Sequence, residues 1–157
     1  MTSTDTRNTV SKSVVVNAPI ERAFEVFTAK FDSWWPRTHH IGKVEPFEAI
    51  LEPRAGGRYY ERGADGTECE WGEVLEFDPP THLALSWHLN HEFGYVADPA
   101  RASRVDVTFV VEGPSTTRVD VVHSQIERHG EHWEGVRDGV GGEGGWQRIL
   151  DDFAAAV

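Results

Sequence analysis

The sequence predicts an α+β fold, a curved antiparallel sheet of six to seven strands wrapped around a long C-terminal helix, with two short helices after the first strand. Three observations lead there. Short runs of alternating apolar residues follow one another with turn signals between them. The last apolar segment places Trp146, Ile149, Leu150 and Phe153 at i, i+3, i+4 and i+7, one face of a helix. A chain of 157 residues is one ordinary domain, and a meander of six strands cannot cover its own inner face, so that helix must cover it.

The elements follow in order. Residues 1–8 read as a polar tail ahead of a single domain over residues 9–157. Val10 to Val16 is β-branched, with Val10, Val14 and Val16 on one face. Pro19 suits the first position of a helix in which Ile20, Ala23, Phe24 and Phe27 recur at helical spacing. A second short helix spans Phe31 to Trp35 and stops at Pro36, and residues 37–45 carry no period. Phe47, Ala49 and Leu51 alternate, Gly56-Gly57 turns the chain, and Arg58 to Arg62 extends. Ala64-Asp65-Gly66 is a hairpin turn signal. In the long strand from Glu68 to Phe77, Gly72 predicts a bulge or bend. Leu83, Leu85 and Trp87 alternate, as do Val105, Val107, Phe109 and Val111, and then Thr117, Val119, Val121 and His123. Asn90 to Ser103 is long for a hairpin connection, and Gly139 to Gly145 reads as a hinge before the final helix.

Composition narrows the function classes. Hydrophobic residues make up 39% and charged residues 26%, a folded protein. The formal net charge of −11, with no basic run, argues against nucleic acid and against anionic membrane. The single cysteine, Cys69, permits no internal disulfide, and flanking Glu68 and Glu70 mark it as inert. The polar N-terminus lacks a signal-peptide core and no run is long enough to span a membrane, so a cytoplasmic location is expected. Six tryptophans beside one methionine point to a wide core or an aromatic-walled cavity.

The run Trp71-Gly72-Glu73-Val74-Leu75-Glu76-Phe77-Asp78-Pro79-Pro80, followed by Leu83 to Trp87, resembles the signature of a family in the START-like, or SRPBCC, superfamily. This is the family similar to the C-terminal domain of the activator of Hsp90 ATPase. Ala18-Pro19-Ile20-Glu21-Arg22-Ala23-Phe24, Gly56-Gly57-Arg58-Tyr59 and Gly145-Trp146 agree, so the resemblance runs from about Val10 to Phe153. It implies a helix-grip fold with a hydrophobic cavity under the C-terminal helix. It is specific for the scaffold and says little about what the scaffold binds.

By alternation, Trp87 and His123 point to the concave side, with Leu85 and Phe109 on the same inner face; with Trp71 on the neighbouring strand and Tyr59 (rather than its neighbour Tyr60), Trp87 reads either as solid core or as the wall of a cavity. Trp146 and Leu150 face them from the helix, and Trp34 and Trp35 sit where such folds leave an opening. His123 reads either as a core histidine or as a polar contact for a ligand. Glu70 and His123 are the one pair nominated for acid–base chemistry. His39 and His40 are adjacent and six other histidines are scattered, but none falls at metal-ligand spacing, so no metal and no cofactor is expected. No nucleophile elbow or phosphate loop is present.

The leading expectation is therefore a binding module, monomer or homodimer, for a small apolar or aromatic molecule. Burying roughly 300 Å² of such a ligand is worth about 7 kcal/mol before binding costs, which permits micromolar affinity. The alternatives are an enzyme of cyclase, dehydratase or hydrolase type in the same cavity, and a co-chaperone-like module for an Hsp90-type ATPase.

Overall fold

A computed structural model describes residues 8–36, 39 and 46–157. The tail expected over residues 1–8 lies outside the described residues apart from Asn8, as do Arg37, Thr38, His40 and residues 41–45. Seven strands form one antiparallel sheet: β1 (Val10–Val16), β2 (Phe47–Leu51), β3 (Arg58–Gly63), β4 (Glu68–Asp78), β5 (His82–Trp87), β6 (Ser103–Gly113) and β7 (Thr116–Ser124). Their spatial order is β1-β7-β6-β5-β4-β3-β2, a meander whose last strand is joined by the first. Two short helices, α1 (Ile20–Thr28) and α2 (Phe31–Trp34), follow β1, and α3 (Trp133–Gly141) and α4 (Trp146–Ala156) close the chain.

The first helix begins one residue later than its proline suggested: Pro19 is extended (ψ 155°) and its carbonyl accepts from Ala23 N–H. Helix α2 is tied to the edge strand because Ala49 N–H donates to Asp32 Oδ1 at 2.8 Å. That bond sets down the adjacent Trp34 and Trp35 between the sheet and α4.

Alternation puts Leu83, Leu85, Trp87, Val105, Val107, Phe109, Val119, Val121 and His123 on the inner face, all buried. Helix α4 lays Trp146, Ile149, Leu150 and Phe153 against them. Tyr59 and Tyr60 are both buried, although neighbours on a strand point to opposite faces. Tyr60 is covered from outside by the guanidiniums of Arg58 and Arg62, 4.2 and 5.8 Å from its ring centre.

Two glycines have no substitute. A Cβ at Gly72 would lie 1.9 Å from the Ser86 carbonyl oxygen, and one at Gly145 would lie 2.1 Å from that of Val140. The expected irregularity at Gly72 is a β-bulge: Tyr59 pairs with Gly72 and Tyr60 with Glu70, leaving Trp71 as the extra residue. The chain from Gly139 to Gly145 is only partly the connection foreseen for it. Its first three residues finish α3, a helix the sequence reading did not anticipate, and the break before α4 is confined to 142–145. No helix among the described residues is long and apolar enough to cross a membrane.

Candidate functional site

Between sheet and terminal helices lies a cavity of about 440 Å³, within the range of small-molecule sites. Its wall is built from indoles of four elements. Trp35 comes from the end of α2, Trp71 from the bulge in β4, Trp87 from β5 and Trp146 from the first residue of α4. Ring centres are 4.3 Å apart for Trp35 and Trp71, 6.3 Å for Trp71 and Trp87, and 5.8 Å for Trp87 and Trp146, all inclined by about 60°. Leu89, Val140 and Ile149 add aliphatic surface, and the glycines of the α3–α4 break form part of the rim.

The bulge explains why Trp71 reaches this wall. An extra residue bends the strand and re-aims its side chain. Here the Trp71 carbonyl accepts from His88 N–H at 3.0 Å, holding the bulged residue to the next strand. Tyr59 lies behind it at 6.3 Å, with its hydroxyl donating to the Ser86 carbonyl at 2.6 Å. Burial pushes the Tyr59 phenol well above its ordinary pKa, so it remains a donor.

Trp146 is held by a buried chain of hydrogen bonds. Its Nε1–H donates to His123 Nδ1 at 3.0 Å. His123 Nδ1 is therefore unprotonated, its Nε2–H donates to Ser103 Oγ at 2.6 Å, and the Ser103 hydroxyl donates to His129 Nε2 at 2.8 Å. Burial pushes His123 down to about 3, reinforced by His129. His129 is pushed down to about 4, by burial first and then by His88 and Arg101. Both rings are neutral at physiological pH. An indole N–H does not hand on a proton, so this chain orients the Trp146 ring and carries no proton into the cavity.

Of the residues nominated from sequence, Trp35, Trp71, Trp87 and Trp146 line the cavity. His123 stands directly behind Trp87 and Trp146, fully buried. Leu85 and Leu150 belong to the surrounding core. Trp34 and Phe109 do not line the cavity but sit in the aromatic cluster around Phe27, which adjoins the wall where Trp34 packs on Trp35 at 5.8 Å, and Trp34 Nε1–H donates to the Val26 carbonyl at 2.9 Å. Glu70 and His123 do not meet. Glu70 accepts from Arg58 at 2.9 Å and from the Tyr95 hydroxyl at 3.2 Å, in a groove on the outer side of the sheet with Ser86 and His88. Burial raises the Cys69 thiol, and the charges of Glu61 and Asp65 add to it.

Besides the glycines, five lining residues stood outside the wall read from sequence: Leu89, Val140, Ile149, Phe93 and His39. Leu89 continues the alternation of Leu83, Leu85 and Trp87, and Ile149 lies on the apolar face of α4, so both carried a signal. Phe93 carried none beyond its place in the long Asn90–Ser103 segment. It is 59% exposed at the cavity mouth with φ 60°, a left-handed backbone that costs a non-glycine residue free energy. Asn90 imposes it: its side-chain oxygen accepts from Glu92 and Gly94 N–H, both at 2.9 Å. His39 accepts Trp35 Nε1–H on its carbonyl at 2.8 Å, and its ring Nε2 bonds the Gly144 carbonyl, joining the two sides of the opening.

Away from the cavity, Glu76, Asp78 and His82 bring ligand atoms within 4.8 Å of one another across the β4–β5 turn. Glu76 is bonded to Arg104, and His82 to Asp106 at 2.9 Å, so two of the three are already engaged within the protein.

Residues 17–157 match the family model described as activator of Hsp90 ATPase homolog 1-like protein. Among solved structures, the anthrahydroquino-γ-pyrone synthase Txn09 is 41% identical, covering 95% of this chain and 96% of that one, with a TM-score of 0.67. CalC from Micromonospora echinospora, a self-sacrificing resistance protein, is 35% identical over 96% of this chain and 94% of its own, with a TM-score of 0.69. Protein Ms6760 from Mycobacterium smegmatis shares the fold at 22% identity, covering 95% of this chain and 90% of that one, with a TM-score of 0.65. No curated protein matches the chain.

Proposed function

We propose that this chain, which belongs to the activator of Hsp90 ATPase homolog 1-like family, holds a flat, fused-ring aromatic molecule in its indole-walled cavity. The observation that carries the reading is the wall itself. Trp35, Trp71, Trp87 and Trp146 surround about 440 Å³ with inclined aromatic faces, and His39 is the one titratable side chain among the described lining residues. Flat aromatic surface is the ligand chemistry that such faces complement, by offset stacking and by apolar burial. One relative supports the same ligand class: it is 41% identical and is named as a synthase of an anthrahydroquino-γ-pyrone. The protein would work in the cytoplasm as a monomer or homodimer.

A second reading has one observation in its favour, the name of the synthase: that the cavity also closes a ring on the molecule it holds. With His39 as the single titratable group at the wall, the protein's share of such a step would be to fold a flexible side chain against the ring system, catalysis by proximity and exclusion of water.

The test is titration of the protein with anthraquinone-2-sulfonate, read by quenching of tryptophan fluorescence. Saturable binding of one equivalent, lost in Trp87→Ala with the fold retained by circular dichroism, is the expected result. Absence of saturable binding, or binding unchanged in Trp87→Ala, overturns the reading. Conversion of an anthrahydroquinone bearing an uncyclised side chain to its pyrone, followed by liquid chromatography, separates the synthase from the binder.

A further inference from the structure

The four indoles of the wall differ at their nitrogens. Trp35 Nε1–H donates to the His39 carbonyl and Trp146 Nε1–H to His123. The nitrogen of Trp71 is unanswered among the described residues but sealed within the protein, so nothing in the cavity reaches it. Trp87 Nε1–H makes no hydrogen bond among the described residues either, yet its nitrogen is not sealed: it keeps accessible surface, on a ring that lines the cavity. The surroundings explain why it has no partner inside the protein. The neighbouring imidazole, His123, lies 5.4 Å away between ring centres, and both its nitrogens are taken, Nδ1 by Trp146 and Nε2 by Ser103. On its other sides Trp87 meets the rings of Trp71 and Trp146, at 6.3 and 5.8 Å, and an aromatic face is at best a weak acceptor. Of the four indole donors at the wall, that of Trp87 is the one both unanswered and within reach of a ligand.

We propose that Trp87 serves the cavity by the edge of its ring, its Nε1–H donating to an oxygen carried in the plane of the bound aromatic, as in a quinone or a pyrone. This rests on the reading that the cavity holds a fused aromatic, and it adds the contact that decides among such molecules. An acceptor meets an indole N–H close to the plane of the indole. A carbonyl oxygen on a flat ring lies in that ring's plane, so the ligand reaches Trp87 edge first and keeps its faces for other rings. Trp71 and Trp146 are inclined to Trp87 by 60° and 58°, which lets a ligand bonded at that edge lie against either of them. A hydrocarbon of the same outline displaces the water that the N–H would otherwise bond and offers nothing in return.

The test pairs anthraquinone-2-sulfonate with anthracene-2-sulfonate, so that the sulfonate cancels and only the ring oxygens differ. The ratio of the two affinities, quinone over hydrocarbon, is expected to fall about fivefold, about 1 kcal/mol, from wild type to Trp87→Phe, which keeps an aromatic ring and removes the N–H. The loss is expected on the quinone side, with the hydrocarbon held within about twofold. In wild-type protein labelled with ¹⁵N and assigned through the backbone, the Trp87 indole N–H resonance is expected to move downfield with the quinone and not with the hydrocarbon, a readout that needs no variant. A ratio unchanged in Trp87→Phe, or a downfield shift at a different indole, overturns the inference and leaves the aromatic-binding reading standing. If neither probe binds wild-type protein, that reading falls and this one with it.

Discussion

At one end of the interior, Phe24, Phe27, Trp34, Phe109 and Phe153 pack ring against ring with centres 4.9 to 5.7 Å apart. At the other end, Trp35, Trp71, Trp87 and Trp146 are spread around a cavity. Both ends lie between the same sheet and the same helix, and α4 contributes to both, Phe153 to the first and Ile149 and Trp146 to the second. The phenylalanines have no polar atom to satisfy, so their rings tilt freely into edge-to-face pairs and close the space. Two of the tryptophans are constrained by their N–H groups: Trp146 is held to His123 and Trp35 to His39. Indoles held by their edges, with the helix interrupted at residues 142–145 just above them, cannot collapse into the gap they surround. The difference teaches that a tethered indole does not by itself leave a void, since Trp34 is bonded to Val26 in the packed end; the space opens where tethered indoles lie under an interrupted helix.

The sharpest way to break the comparison is a pair of truncations one helical turn apart. Phe153→Ala should cost about 3–5 kcal/mol in urea denaturation and leave the affinity for anthraquinone-2-sulfonate nearly unchanged. Ile149→Ala should cost closer to 2 kcal/mol, because that side chain already borders a void, yet weaken the probe severalfold. Equal costs would mean the two ends do not differ in packing.

His123→Leu should cost about 2–3 kcal/mol, since it strands Trp146 N–H and the Ser103 hydroxyl. It should also alter the response to acid. In the folded protein His123 and His129 titrate near 3 and 4, against about 6.5 when unfolded. The unfolded chain therefore binds more protons over that window, and stability is complete above about pH 6.5 and declines as pH falls toward 4. Urea midpoints measured from pH 7 to pH 4 should fall in the wild type and fall less steeply in His123→Leu. An unchanged slope would show that these rings are not what acid attacks.

The smallest effect belongs to the mouth. Phe93→Gly should weaken the probe a few-fold while raising stability by about 1 kcal/mol, as the left-handed backbone is relieved. A loss of stability instead would mean that Phe93 serves packing rather than the opening.

Much of the fold was legible in the sequence because alternation and helical spacing are local. The pairing of Val105 with His123 and of Phe109 with Val119 follows from two runs of alternating residues joined by a tight turn, and Gly72 announced its bulge. The same alternation named Trp87, with Trp71 nominated from the neighbouring strand, and the apolar face of α4 named Trp146. Helix α3 was not legible, because Gly135, Gly139 and Gly141 lower its local propensity and its stability comes from burying Val136 and Val140. The split of adjacent Trp34 and Trp35 between the solid and hollow ends was also decided only by packing. So was the outward placement of Glu70 beside Arg58 and Tyr95, away from His123. Above all, tertiary structure decided which buried donors have partners. Trp146 finds His123 from 23 residues away and Ser103 finds His129 from 26, while Trp71 finds none among the described residues. Local periodicity determines which side of an element a residue occupies. Whether its polar atom is answered, and whether the rings around it close or leave a void, depends on groups brought near by the whole fold.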